Sequence, residues 1–149
     1  VTKNWSILFF FNDSRPLFLN YFNCNRWVLI TNKQMITQKY LDDLTYEIIG
    51  SAIEVHKNMG RGLLESVYHQ CLKEELSYRK INFYTEMKVP IIYKTKELIT
   101  DFRCDLFVEN CLVVELKSVL EMNPIFEAQL LTYMKLLKAP KGVLINFNC

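Results

Sequence analysis

A chain of 149 residues, 50% apolar and 23% charged, is long enough for one domain with a sizeable core, and it reads as a soluble globule rather than a disordered chain. No apolar stretch approaches the length needed to span a bilayer, and an odd number of cysteines in apolar patterns leads to the expectation of a cytoplasmic protein. The net charge is +2, but residues 1–34 hold four basic groups and one acid, so residues 35–149 carry fourteen basic against fifteen acidic side chains, about −1.

That balance leaves no basic run to advertise nonspecific nucleic-acid binding. Any such contact must come from a local patch, with Lys57, Arg61, Lys88, Arg103 and Lys117 as candidates. The five cysteines (Cys24, Cys71, Cys104, Cys111 and Cys149) form no Cys-x-x-Cys pair and no zinc-like spacing. Buried, reduced thiols are expected at Cys71, Cys104 and Cys111.

In chain order, residues 1–34 are dense in Phe, Asn, Leu and Trp without a sustained period. Lys3 precedes a short apolar run, but Asn12 and Asp13 end it and no small-residue cleavage site follows. Met35 stands just before the first helical pattern, so 1–34 is expected to be an extension outside the fold and 35–149 the domain. From Tyr40 to His56, the residues Leu44, Ile48, Ala52 and Val55 recur at helical spacing, and Asn58-Met59-Gly60 ends the run. A second helix follows Gly62, with Leu64, Val67, Tyr68, Cys71, Leu72 and Leu76 as its buried stripe. Residues 83–93 predict a strand that must be an edge or bulged at Pro90. Residues 98–108 predict a further strand, and 112–119 its hairpin partner. Asn123 then caps a third helix with Pro124 at its first position and Phe126, Leu130, Tyr133 and Leu137 on its core side. Residues 143–147 form a last strand, after which a further C-terminal element is expected to be missing.

The hairpin at 101–118 carries charge where strands should be apolar. A three-residue loop, Glu109 to Cys111, sets Val108 opposite Leu112, Phe107 opposite Val113 and Asp105 opposite Glu115. One face then holds Phe102, Cys104, Leu106, Val108, Leu112, Val114 and Leu116. The other holds Arg103, Asp105, Phe107, Val113, Glu115 and Lys117. Opposed like charges destabilise a sheet. Two acids beside a lysine suit a hard divalent cation that polarises water, and a solvated face with Arg–Asp and Glu–Lys pairs is the competing reading. Glu65 either aims a third carboxylate at this site or complements the N-terminus of its helix. Gln129 and Tyr133 share a helix side and suit a phosphate or base, although a tyrosine at core spacing also suits the core.

The element order α-α-β-β-β-α-β, with Asp105, Glu115-Leu116-Lys117 and Gln129-x-x-x-Tyr133 in sequence, resembles the PD-(D/E)XK nuclease superfamily. Residues 35–149 are similar, more narrowly, to the GxxExxY protein family, whose motif stands here as Gly62, Glu65 and Tyr68 after Val55-His56-Lys57. Cys104 departs from the pattern, since proline is the residue expected before the acid. The resemblance implies an α/β, restriction-endonuclease-like fold: a central mixed sheet of about four strands flanked by helices. It implies a nuclease that hydrolyses phosphodiester bonds in DNA, more than RNA, using Mg²⁺ or Mn²⁺. Asp105 and Glu115 would hold the metal with the Leu116 carbonyl, and Glu65 would be an outer or second-metal ligand. Lys117 would orient the attacking water, while Gln129, Tyr133 and Arg103 would contact the substrate. Some superfamily members carry an iron–sulfur cluster on four cysteines, a spacing this chain lacks. A nucleic-acid-binding or regulatory module without turnover, and a purely structural interaction domain, are the alternatives. A second copy or an accessory protein is the other expected partner.

Overall fold

A computed structural model describes residues 7–11, 28–31 and 34–148 of the chain. Cys24, Cys149 and most of the 1–34 segment lie outside the described residues. The elements are β1 (Ile7–Phe11), β2 (Val28–Thr31), β3 (Gln34–Thr37), α1 (Gln38–Met59), α2 (Glu65–Tyr78), β4 (Phe83–Lys88), β5 (Ile91–Tyr93), β6 (Lys96–Leu98), β7 (Arg103–Val108), β8 (Leu112–Lys117), α3 (Pro124–Leu137) and β9 (Lys141–Asn146).

Local chemistry sets the helices. Thr37 Oγ1 accepts the Tyr40 N–H at 3.1 Å to start α1, and Gly60, at φ +70°, stops it. Leu41, Leu44, Ile48, Ala52 and Val55 are its buried stripe. Asn123 caps α3 by accepting the Ile125 N–H at 2.9 Å, with Pro124 at the first position, as the sequence predicts. In α2, Tyr68, Leu72 and Leu76 are buried as expected. Leu64 is not: it is the N-cap residue, 74% exposed, because the helix begins one residue later than the stripe requires.

The main sheet has the order β1-β9-β8-β7-β4. Only the β8–β9 pair is parallel, the crossover between them being α3; the other three pairs are antiparallel. Strands β4, β7, β8 and β9 are the expected four-stranded mixed core. Strand β1 adds a fifth, pairing Ile7 with Ile145 through Phe11 with Lys141. This is a departure from the reading of 1–34 as lying outside the fold, and the β2–β3 hairpin likewise crosses the 34/35 boundary. The two long strands expected at 83–93 and 98–108 are each broken. The breaks fall at Val89-Pro90 and at residues 99–102, and the short β5–β6 hairpin lies between them. Proline has no N–H to give a ladder, which accounts for the first break.

One side of the sheet packs against α1 and α2 through Leu106, Val108, Leu112, Val114, Leu116, Val143 and Ile145. The other packs against α3 through Phe107, Val113, Leu144, Leu130 and Met134. Three layers result, with the apolar runs of β8 and β9 buried on both faces. Gly142 in β9 is where α3 comes closest: an added Cβ would lie 2.5 Å from Met134 Sδ and 3.0 Å from Leu130 Cδ1. Gly142→Val should therefore destabilise the fold by about 1–3 kcal/mol, read as a lower melting temperature. An unchanged melting temperature would mean that α3 can move away freely.

Candidate active site

The β7–β8 hairpin has the expected register, with Val108 opposite Leu112, Phe107 opposite Val113 and Leu106 opposite Val114. Glu109 and Asn110 take left-handed φ values of +48° and +55° at the turn. Asp105 and Glu115 then meet through side chains rather than a regular ladder. Glu115 Oε1 accepts the Asp105 N–H at 3.1 Å, and Asp105 Oδ2 accepts the Leu116 N–H at 2.8 Å.

The competing reading of a solvated face fails at Glu115, which is 2% exposed. Burial and then the neighbouring Asp105 push its carboxyl up to about 8. Lys117 answers this charge, its Nζ lying 3.6 Å from Glu115 Oε2 and 4.0 Å from Glu65 Oε1, and 5.3 Å from the centre of the Phe126 ring. Arg103 does not pair with Asp105; its guanidinium reaches Asp101 at 3.4 Å.

Two face assignments need correction. Phe102 and Cys104 were expected beside Leu106 and Val108, but they pack with Phe107, Val113 and Tyr133 on the α3 side. The alternation slips at Asp105, where the regular ladder is interrupted. Burial, with Glu115 adding, pushes the Cys104 thiol up to about 12, so it stays neutral. Cys111 is likewise buried, and Cys71 half-buried.

Glu65 occupies the first turn of α2, and no side-chain cap stands before it. It thus lies both near the helix N-terminus and 4.0 Å from Lys117 Nζ. Burial pushes its carboxyl above the ordinary value; Lys117 opposes that shift and Asp105 adds to it. The rest of the Gly62-x-x-Glu65-x-x-Tyr68 motif builds the approach. Gly62 has φ +94°, which a side chain would strain. Tyr68 is fully buried and stacks on Phe147 at 4.5 Å between ring centres. Its hydroxyl donates to the Gly60 carbonyl at 2.8 Å and accepts the Leu63 N–H at 3.2 Å. Ser118 then donates to the Leu63 carbonyl at 2.7 Å, tying this loop to the end of β8. Tyr68→Phe removes both hydroxyl bonds and leaves the half-buried Gly60 carbonyl short of a donor. The expected cost is about 1–3 kcal/mol in a denaturant melt; no change would mean that water replaces the hydroxyl.

Tyr133, expected at the substrate, is a core residue at 1% exposure. Its hydroxyl donates to the Arg103 carbonyl and accepts from Gln129 Nε2 at 3.0 Å, and its ring stacks on Phe102. Burial and Glu115 push it up to about 12. Tyr133 thus anchors the strand that carries Asp105. Gln129 is the polar side chain beside it, while Arg103 meets it through its backbone carbonyl.

Sequence reasoning missed His69 and Asn146. His69 lies one turn beyond Glu65 on α2, a spacing that could have flagged it, and its Nε2 sits 3.3 Å from the Asp105 carbonyl. Asn146 brackets Val119, accepting its N–H at 3.1 Å and donating to its carbonyl at 2.8 Å. No local pattern announces that contact.

Among the described residues no three His, Cys, Asp or Glu side chains converge as a complete metal cage. The donor set still fits a hard cation. Mg²⁺ keeps several waters and needs only one or two protein carboxylates. Asp105 and Glu115 are such a pair, one of them buried and repelled by the other. A family model described as the PD-(D/E)XK nuclease superfamily matches residues 42–149. No curated protein and no solved structure matches the chain.

Proposed function

Because the chain belongs to the PD-(D/E)XK nuclease superfamily, we propose that it is a metal-dependent nuclease that hydrolyses phosphodiester bonds in DNA. The observation that carries this reading is the buried Glu115 held against Asp105, with Lys117 as the adjoining cation. A buried like-charged pair is costly, and a divalent cation is the partner that offsets it. Asp105, Glu115 and the Leu116 carbonyl would hold Mg²⁺ or Mn²⁺, with Glu65 as an outer ligand. Bound there, the metal would supply Lewis-acid polarisation of a phosphate oxygen and offset the charge that develops on it.

The chain's own residues do the rest. Lys117, pinned between Glu65 and Glu115 over Phe126, orients the attacking water and favours its hydroxide form. Gln129 and Arg103 steady the substrate strand from the α3 side. Tyr133 and Ser118 hold the elements that bring these groups together. The intact Gly62, Glu65 and Tyr68 arrangement supports placing the chain among GxxExxY-type members. A DNA-binding module without turnover is the second reading, favoured by the near-neutral charge of residues 35–149.

Cleavage of plasmid and single-stranded DNA with Mg²⁺ or Mn²⁺ separates the two. Metal-dependent cleavage is expected, together with a melting temperature raised by millimolar Mn²⁺. Binding of DNA without cleavage would favour the module. Absence of both the metal shift and cleavage would sink the nuclease reading.

A further inference from the structure

Asp105 stands in a gap between the two ladders it should join. Pairing of β4 with β7 steps from Thr85–Leu106 to Met87–Cys104, and Glu86, between them, has φ +47°. That left-handed conformation is unfavourable for a non-glycine residue and interrupts the pleat. On the other side, the β7–β8 register runs from Val108–Leu112 to Leu106–Val114 and stops short of Asp105. Side chains take over its backbone groups. Glu115 accepts its N–H at 3.1 Å, and His69 Nε2 lies 3.3 Å from its carbonyl oxygen. Thr85 Oγ1 is 3.3 Å from the same nitrogen. A carbonyl can only accept, so in this contact Nε2 carries the proton, and the Thr85 oxygen shares it.

We propose that His69 is a positioning residue for this site: its Nε2–H, donated to the Asp105 carbonyl, fixes the peptide from which Asp105 presents its carboxylate. The inference rests on the reading of Asp105 as a metal ligand. The backbone of Asp105 has no regular ladder to hold it, so a small rotation of that peptide would swing the carboxylate away from Glu115. His69 prevents the rotation from α2, the helix that also carries Glu65 one turn earlier. One rigid helix therefore sets both acids relative to Lys117. Groups that orient a ligand from behind commonly govern metal affinity as strongly as a weak ligand does.

The test compares His69→Ala and His69→Gln in the full chain, with Mn²⁺ affinity read by calorimetry. The Leu106 amide resonance of the metal-free proteins is read by NMR, since that amide shares its peptide with the Asp105 carbonyl. His69→Ala should weaken Mn²⁺ binding about 10–100-fold and move the Leu106 resonance. Glutamine has an amide donor able to reach the same carbonyl, so His69→Gln should restore the resonance and bring affinity to within about threefold of wild type. An unmoved Leu106 resonance in His69→Ala overturns the inference whatever the metal affinity. A moved resonance with unchanged Mn²⁺ affinity also overturns it, since the contact would then be structural only. If wild type binds no Mn²⁺, the metal reading fails by itself. The Leu106 resonance then decides alone: moved in His69→Ala and restored in His69→Gln, it supports positioning of Asp105.

Discussion

Asp105→Asn and Lys117→Met should each lower metal-dependent DNA cleavage by at least about 10²–10³-fold while leaving the protein folded. These substitutions are chosen to spare the structural contacts. Asparagine keeps a side-chain oxygen to accept the Leu116 N–H now bonded at 2.8 Å, and it removes only the charge. Methionine keeps an unbranched apolar side chain of similar length and removes the ammonium that lies over the Phe126 ring. Circular dichroism and the melting temperature would confirm that each variant is folded. Lys117→Met leaves Glu115 without its adjoining cation, so above about pH 8, where Glu115 ionises, it should melt somewhat lower than Asp105→Asn, which relieves the like-charge contact. Cleavage that persists in both variants would come from a contaminant or from a different site, and would remove the mechanism.

Glu115→Gln should pull stability and activity in opposite directions. The glutamine oxygen can still accept the Asp105 N–H, and Lys117 keeps Glu65 as a partner at 4.0 Å. What disappears is a carboxyl held up near 8 by burial and by Asp105. The sign follows from proton uptake. Between the ordinary value near 4.5 and about 8, the folded protein holds a proton that the unfolded chain has lost. The metal-free wild type therefore loses stability as pH rises through that window, and the loss levels off above it. Glutamine does not titrate. The variant's advantage should thus be small near pH 5 and grow to several kcal/mol, on the order of 4, at pH 8 and above. Thermal melts across this range in a chelating buffer read it directly. Mn²⁺ should reverse the ranking by stabilising wild type, more at pH 8 than at pH 6, because the site binds the cation as it gives up its proton. Cleavage should be lost in the variant at every pH. A difference in melting temperature that stays flat from pH 5 to 8 would mean that Glu115 is ionised throughout, and that Lys117 alone offsets it.

Parts of this site were legible in the sequence because they are set by short-range rules. A two-residue alternation with a three-residue turn fixes which residues face each other near the hairpin end, and Val108 to Leu106 follow it. Asn123-Pro124 announces a helix start by capping chemistry that needs no tertiary partner. The same rules fail where another element intervenes. Alternation placed Phe102 and Cys104 with Leu106, but the interrupted ladder at Asp105 sends them to the α3 side. The pattern made Leu64 core, although it lies just outside α2. Tyr133 suited either substrate or core, and only the packing of α3 against β7 settled its hydroxyl on the Arg103 carbonyl.

The sequence by itself determined the α/β class, the three helices, the hairpin register near its turn, and the presence of Asp105, Glu115 and Lys117 on neighbouring strands. Those follow from periodicity and turn chemistry, which act over a few residues. Tertiary structure alone decided that Glu115 is buried rather than solvated, because its burial depends on α3 covering that side of β8. It also decided that Arg103 turns to Asp101, that β1 extends the sheet beside β9, and that His69 rather than a neighbouring strand meets the Asp105 carbonyl. Each of these depends on which segments distant in sequence come to lie side by side, and no local pattern encodes that.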